Sequence, residues 1–253
     1  MITARKSALT EAFWYRYFRR KLRKRFRALR VKGAATVPGW HGSTTSLRET
    51  LPIVFIANHS SWWDAVVPLI LSYGHFRHDA YAMMEEKQLA RYSFFRGVGC
   101  FSVLREDARS ALRSLDYAAE LLHGTARVLW MYPQGSIVSV EQRPLGFFNG
   151  ISRLLYALQD AYVIPVAFRY EFLGEEAPEI LVSFGEPWRI YAPDLPDRST
   201  TTAQLEQRVI RTMDEQRESV IRRDFTGYAV LHHGTVSINQ RWDSLRGKQS
   251  AMG

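Results

Sequence analysis

The sequence predicts an α/β fold, a β-sheet covered by helices, and three observations predict it: apolar runs of strand length, segments of helical apolar period between them, and turn-forming residues where the two meet. With 253 residues, 46% of them apolar, the chain is long enough to bury one sizeable core. One domain with a basic N-terminal appendage is expected.

Over residues 11–31, Trp14, Phe18, Leu22, Phe26 and Leu29 recur at steps of four or three, which makes one apolar stripe on a helix. Residues 33–46 hold Gly33, Pro38, Gly39, Gly42 and several Ser and Thr and read as a connector. The domain proper is expected at 47–225. Its first strand is the run Pro52-Ile-Val-Phe-Ile-Ala57, continuously apolar as a strand covered on both faces must be. It ends at Asn58-His59-Ser60, and a helix is expected from about Ser60 to Leu71 with Ser60 as N-cap. Gly99 to Leu104 reads as a strand. Arg109 to His123 reads as a helix, with Leu112, Leu115, Ala119 and Leu122 on one face and Gly124 at its C-terminal end. Strands at 127–132, 162–168 and 180–184, a helix at 149–159 and a long amphipathic helix at 202–223 complete the alternation. The tail, 226–253, carries no signal, and the chain has no internal repeat.

Charge is distributed unevenly. Residues 1–32 hold 12 of the 34 Lys and Arg against one acid, Glu11, leaving 22 bases and 24 acids for the rest. The basic segment therefore seeks a polyanionic surface, lipid or nucleic acid. No basic surface continues after residue 32 and no reader motif appears, which weighs against nucleic acid. Aromatic residues on one side of the first helix and cations on the others describe a helix lying in a lipid interface, with Trp14, Phe18, Leu22 and Phe26 inserted. The alternative is a helix packed on its own domain. No run approaches the ~18 apolar residues of a spanning helix or the core of a secretory signal. Cys100 stands alone, which excludes an intrachain disulfide. His75-x-x-His78 and His232-His233 lack the carboxylates or thiolates of a metal site, so no metal is expected.

The segment Asn58-His59-Ser60-Ser61-Trp62-Trp63-Asp64 places a histidine and an aspartate five positions apart where a strand hands over to a helix. If Asp64 folds back to accept the Nδ1 hydrogen of His59, Nε2 is free to take a proton from an alcohol. The carboxylate then stabilises the imidazolium. By spacing alone an unrelated pair would often look the same.

These residues resemble the H-x4-D motif of the glycerolipid acyltransferases, typified by 1-acylglycerol-3-phosphate acyltransferase. Gly99 through Arg105 is similar to that family's second block. Tyr132-Pro133-Gln134-Gly135-Ser136 resembles its third, usually F-P-E-G-T-R, and Val163-Ile-Pro165-Val-Ala167 its fourth. The resemblance implies a single α/β domain with a mixed sheet, of the glycerol-3-phosphate acyltransferase kind. It implies acyl transfer from acyl-CoA or acyl carrier protein, as co-substrate and with no cofactor, to the hydroxyl of a lysophospholipid-like acceptor. It makes His59 and Asp64 catalytic and puts Arg105, Gln134, Gly135 and Ser136 at the acceptor, where Arg143 is also expected. Gln134 replaces the motif's glutamate and Ile137 its arginine, which tilts the acceptor away from lysophosphatidate and toward another lysophospholipid or a non-phosphate lipid alcohol such as a glycosylated isoprenoid or sterol-like molecule. A membrane-binding relative without activity is the contrasting reading. Backbone amides after His59 are expected to hold the oxyanion. With the N-terminal helix, the resemblance places the protein on the cytoplasmic face of a membrane, peripheral or monotopic.

Overall fold

The computed structural model describes residues 1–41, 43, 50–234 and 242; the rest of the expected connector and most of the expected tail lie outside them. The chain opens with α1 (Ala8–Arg25). There the helix stops, because Phe26 turns extended, with φ −121° and ψ 144°, and β1 (Ala28–Lys32) follows. The helix expected over 11–31 is thus corrected: its last turn and a half is a strand. Leu29 suits either period, and in β1 it alternates with Val31 toward the core while Arg30 and Lys32 point outward. Arg27 and Arg30 both reach the buried carboxylate of Glu179, at 3.2 and 2.5 Å. Tertiary pairing of this kind outweighs local helix propensity.

The sheet comprises β1, β2 (Ile53–Ala57), β3 (Ala80–Glu85), β4 (Cys100–Val103), β5 (Val128–Met131), β6 (Asp160–Glu171), β7 (Glu179–Phe184), β8 (Trp188–Tyr191) and β9 (Tyr228–His233). Their order is β4-β3-β5-β2-β6-β7-β1-β9, with β8 paired to β6. The pairs β3/β4, β3/β5, β5/β2, β2/β6 and β1/β7 are parallel. The pairs β6/β7, β6/β8 and β1/β9 are antiparallel. The sheet is mixed, as expected. None of β1, β3, β8 and β9 is among the expected strands: Arg and Lys interrupt the apolar residues of β1 and β8, and the apolar runs at 80–84 in β3 and 228–231 in β9 go unassigned in the sequence. Sheet pairing makes them strands, and β1 draws the expected appendage into the domain.

Helices cover both faces. β2 is wholly buried, with Phe55 and Ala57 in the cluster beneath α1 and α2 (Val67–Leu71). Val54 and Ile56 face the opposite cluster, beneath α4 (Ala108–Leu122), α5 (Gly150–Leu158) and α6 (Arg198–Ile221). A short α3 (Glu86–Arg91) follows β3. The helix expected from Ser60 is split into a 3₁₀ turn at Trp62–Ala65, α2, and a wider turn at Ser72–Phe76. Its N-cap is Ser61, whose hydroxyl accepts from the Trp63 amide, and not Ser60.

The stripe assigned to lipid is buried. Phe18, Leu22 and Phe26 belong to the core, and half-buried Trp14 stacks on Phe94 with centroids 3.9 Å apart. Each buried apolar side chain contributes roughly 1.5–3 kcal/mol to folding, so these residues are not free to insert into lipid. The alternative reading, a helix packed on its own domain, describes this face. The outward face of α1 carries Leu9, Phe13 and Tyr17, all exposed, among its cations.

Candidate active site

Three loops leave the same end of the sheet, at the C-terminal ends of the parallel strands β2, its neighbour β5, and β4 beyond β3, where open α/β sheets form their crevices. β2 delivers His59, β5 delivers Pro133 to Ser136, and β4 delivers Arg105. Asn58, buried at the end of β2, donates to the Phe168 carbonyl at 3.0 Å and accepts from its amide at 2.8 Å. This double bond to β6 fixes the point at which the chain turns toward His59.

The carboxylate of Asp64 is wholly buried and four times bonded. Its Oδ2 lies 2.8 Å from His59 Nδ1 and accepts the amides of Ser60 and Ser61 at 2.7 and 2.9 Å. Its Oδ1 accepts the Tyr170 hydroxyl at 2.5 Å. The Tyr132 hydroxyl donates to the Asp64 carbonyl, and its ring lies 4.7 Å from the imidazole. Burial, then the Asp64 charge, push both phenols well above their ordinary pKa, so both remain protonated donors. Bonded through both oxygens, the Asp64 carboxylate fixes the orientation of the His59 ring through Nδ1. Of the amides after His59, those of Ser60 and Ser61 are committed to Asp64 and that of Trp63 to the Ser61 hydroxyl.

His59 keeps 21% of its side-chain surface exposed and lines a cavity of about 850 Å³. The walls are largely apolar and include Met84, Tyr92, Phe95, Leu112 and Met131; Arg105, Arg153 and Arg198 supply cations. Burial lifts the thiol of Cys100, also on this wall, to about 12, which removes it as a nucleophile at neutral pH.

Gly135, at φ +69°, is in the left-handed region, and a Cβ there would meet Arg105 Nη1 at 2.5 Å. Glycine alone admits both the turn and the guanidinium laid across it. Arg105, Gly135 and Ser136 line the cavity with His59.

Gln134 and Arg143 do not line it. Gln134 is buried, and its Oε1 accepts the His59 amide at 2.7 Å, so it holds the main chain at His59. Its Nε2 is without a partner. Arg143 pairs with Asp214 at 2.8 Å and holds the carbonyls of Val140 and Gln142, which corrects its expected place in the pocket. Tyr170 was missed, since no spacing links a tyrosine on β6 to a dyad 106 positions earlier. His78 bonds to the Pro38 carbonyl, and among the described residues no three His, Cys, Asp or Glu are placed to hold a metal.

The family model for the acyltransferases matches residues 40–169, just over half of the chain and all of the loops just described. The chain belongs to the acyltransferase family. Among solved structures, this acyltransferase is similar to the 1-acyl-sn-glycerophosphate (LPA) acyltransferase PlsC from Thermotoga maritima. Identity is 15% and the TM-score 0.54, over 83% of this chain and 78% of that one. The likeness extends to the mixed sheet and its flanking helices. No curated protein matches the sequence. Among the described residues no helix of the acyltransferase is long and apolar enough to cross a membrane.

Proposed function

We propose that this acyltransferase moves a fatty acyl group from a thioester donor, acyl-CoA or acyl carrier protein, to the hydroxyl of a lipid acceptor, with His59 as general base. The observation that carries the reading is an imidazole held through Nδ1 by a buried carboxylate bonded through both oxygens, while its ring lines a large apolar cavity. His59 Nε2 takes the hydroxyl proton, the oxygen attacks the thioester carbonyl, and the C–S bond breaks. The leaving thiolate then takes the proton back from the imidazolium. No covalent enzyme intermediate is needed.

Two acceptors remain. Arg105 at the catalytic end supports a lysophospholipid. Ile137, exposed on the cavity where the family's arginine would stand, favours a non-phosphate alcohol such as a glycosylated isoprenoid. A lipid surface suits the mouth, because Trp62, Leu112, Ile137 and Phe148 are large, exposed and on the cavity wall. With Leu9, Phe13 and Tyr17 and the cations of α1 they would meet anionic lipid on the cytoplasmic face of a membrane. The intact dyad weighs against an inactive relative. The test supplies radiolabelled acyl-CoA and acyl carrier protein to panels of lysophospholipids and glycolipids; a product that disappears with His59→Ala is expected. Absence of any His59-dependent product would overturn the reading.

A further inference from the structure

We propose that Arg153 and Arg198 form a phosphate subsite at the end of the cavity remote from His59, and that it takes the phosphate of a phosphopantetheine thioester donor. Its place in the reaction rests on the acyl-transfer reading; its existence does not.

Three arginines line the cavity, opposed only by Asp64, whose oxygens are occupied, and by Glu85. An apolar ligand would need none of them. Among the described residues Arg198 has no side-chain partner. Arg153 Nη2 meets exposed Asp116 at 3.2 Å, while its Nε is buried with no acceptor. A buried guanidinium N–H without a partner is costly until a ligand oxygen reaches it.

The placement separates this pair from Arg105. Arg105 lies across Gly135 just before Asp107, the cap of α4. From there Ala108, Ala111, Leu112 and Leu115 face the cavity on successive turns, and Asp116, the partner of Arg153, follows. Eight residues of helix rise ~12 Å. α5 and α6 run antiparallel beside them: Thr202 bonds to Ser152 at 3.1 Å, and the Tyr156 hydroxyl bonds to the carbonyls of Leu195 and Pro196. Arg198, one turn before Thr202, therefore sits level with the turn of α5 that carries Arg153.

Distance then chooses between the two phosphates such a reaction can bring. In a lysophospholipid the phosphate is a few bonds from the reacting hydroxyl and must lie near His59, within reach of Arg105. In CoA or a carrier-protein prosthetic group the whole pantetheine arm separates thioester from phosphate, which matches the remote pair. Ala108 and Ala111 are small and leave that arm a path along α4.

The test uses CoA and pantetheine, which carries the same thiol arm without phosphate, titrated calorimetrically into the wild-type protein and into Arg153→Gln, Arg198→Gln and the double variant. CoA affinity should fall about tenfold per arginine, since each loss removes a charge-assisted hydrogen bond. Pantetheine affinity and the KM of the acceptor should stay unchanged. Failure of the wild type to bind CoA, an undiminished CoA affinity in the variants, or equal weakening of both ligands would overturn the subsite. A rise confined to the KM of a phosphate-bearing acceptor would reassign the arginines and overturn it as well. Arginine-dependent CoA binding in a protein that forms no acyl product would sink the acyl-transfer reading and leave the subsite standing.

Discussion

A histidine becomes a useful base when one ring nitrogen is held and the other left free, and Asp64 does the holding from a buried carboxylate bonded through both oxygens. His59→Ala should lower turnover by roughly 10²–10⁴ with the fold intact by circular dichroism; a folded variant near wild-type rate would refute the dyad. Tyr170→Phe removes the hydroxyl that bonds to Asp64 Oδ1 and leaves a buried carboxylate oxygen unmatched. It should cost about 1–3 kcal/mol in urea unfolding, and turnover should drop as the imidazole loses its fixed orientation. Arg143→Ala is the contrast: it breaks a pair with exposed Asp214, worth about 0–1 kcal/mol, and the acceptor's KM should not move. At this scale His59, Asp64, Arg105, Gly135 and Ser136 were legible because each falls in a short ordered block. Tyr170 was hidden because its contact spans two strands. Gln134 and Arg143 were misplaced because a sequence block tells which loop a side chain stands on, not which way it points.

Elements tell a similar story in α1. Four residues at helical spacing read equally well as a lipid stripe or a core stripe, and only the surface they meet decides. Leu22→Ala should destabilise the protein by about 2–5 kcal/mol, as truncation in a filled core does. Phe13→Ala on the outward face should leave stability within about 0.5 kcal/mol and weaken flotation with anionic vesicles; equal flotation of the two variants would sink the proposed docking face. The loop between β5 and α5 shows how an element without regular structure is fixed. Glu206 on α6 accepts the amides of Leu145, Gly146 and Phe147 at 2.8, 3.2 and 3.0 Å, and Arg143 clamps it to Asp214. The cavity wall at Phe148 is thereby held from α6.

For the whole molecule, the crevice exists because β2, β5 and β4 run parallel and end on one edge, so that blocks far apart in sequence converge. The same compaction buries histidines outside the site. Burial holds His78 and His232 at about 4, below the ordinary 6.5. Both are neutral in the folded protein at pH 5–6, where the unfolded chain binds protons. The stability they contribute is complete above about pH 6.5 and is lost as pH falls toward 4, by up to about 3 kcal/mol for His78. Urea midpoints measured from pH 7.5 to 4 should fall over this window and flatten in His78→Gln; an unchanged slope in the variant would exclude the assignment.

By itself the sequence determined the α/β class, the central strands, the helices that flank them and the blocks that carry the dyad, because these follow from local apolar period and short motifs. Tertiary structure alone decided that residues 28–32 form a strand, that α1 turns its stripe inward and that Tyr170 completes Asp64. The physical reason is common to all three: each depends on a partner far along the chain, Glu179 for Arg30, Phe94 and Phe95 for Trp14 and Phe18, and Tyr170 of β6 for the dyad. In every case no local period encodes which surface will be there.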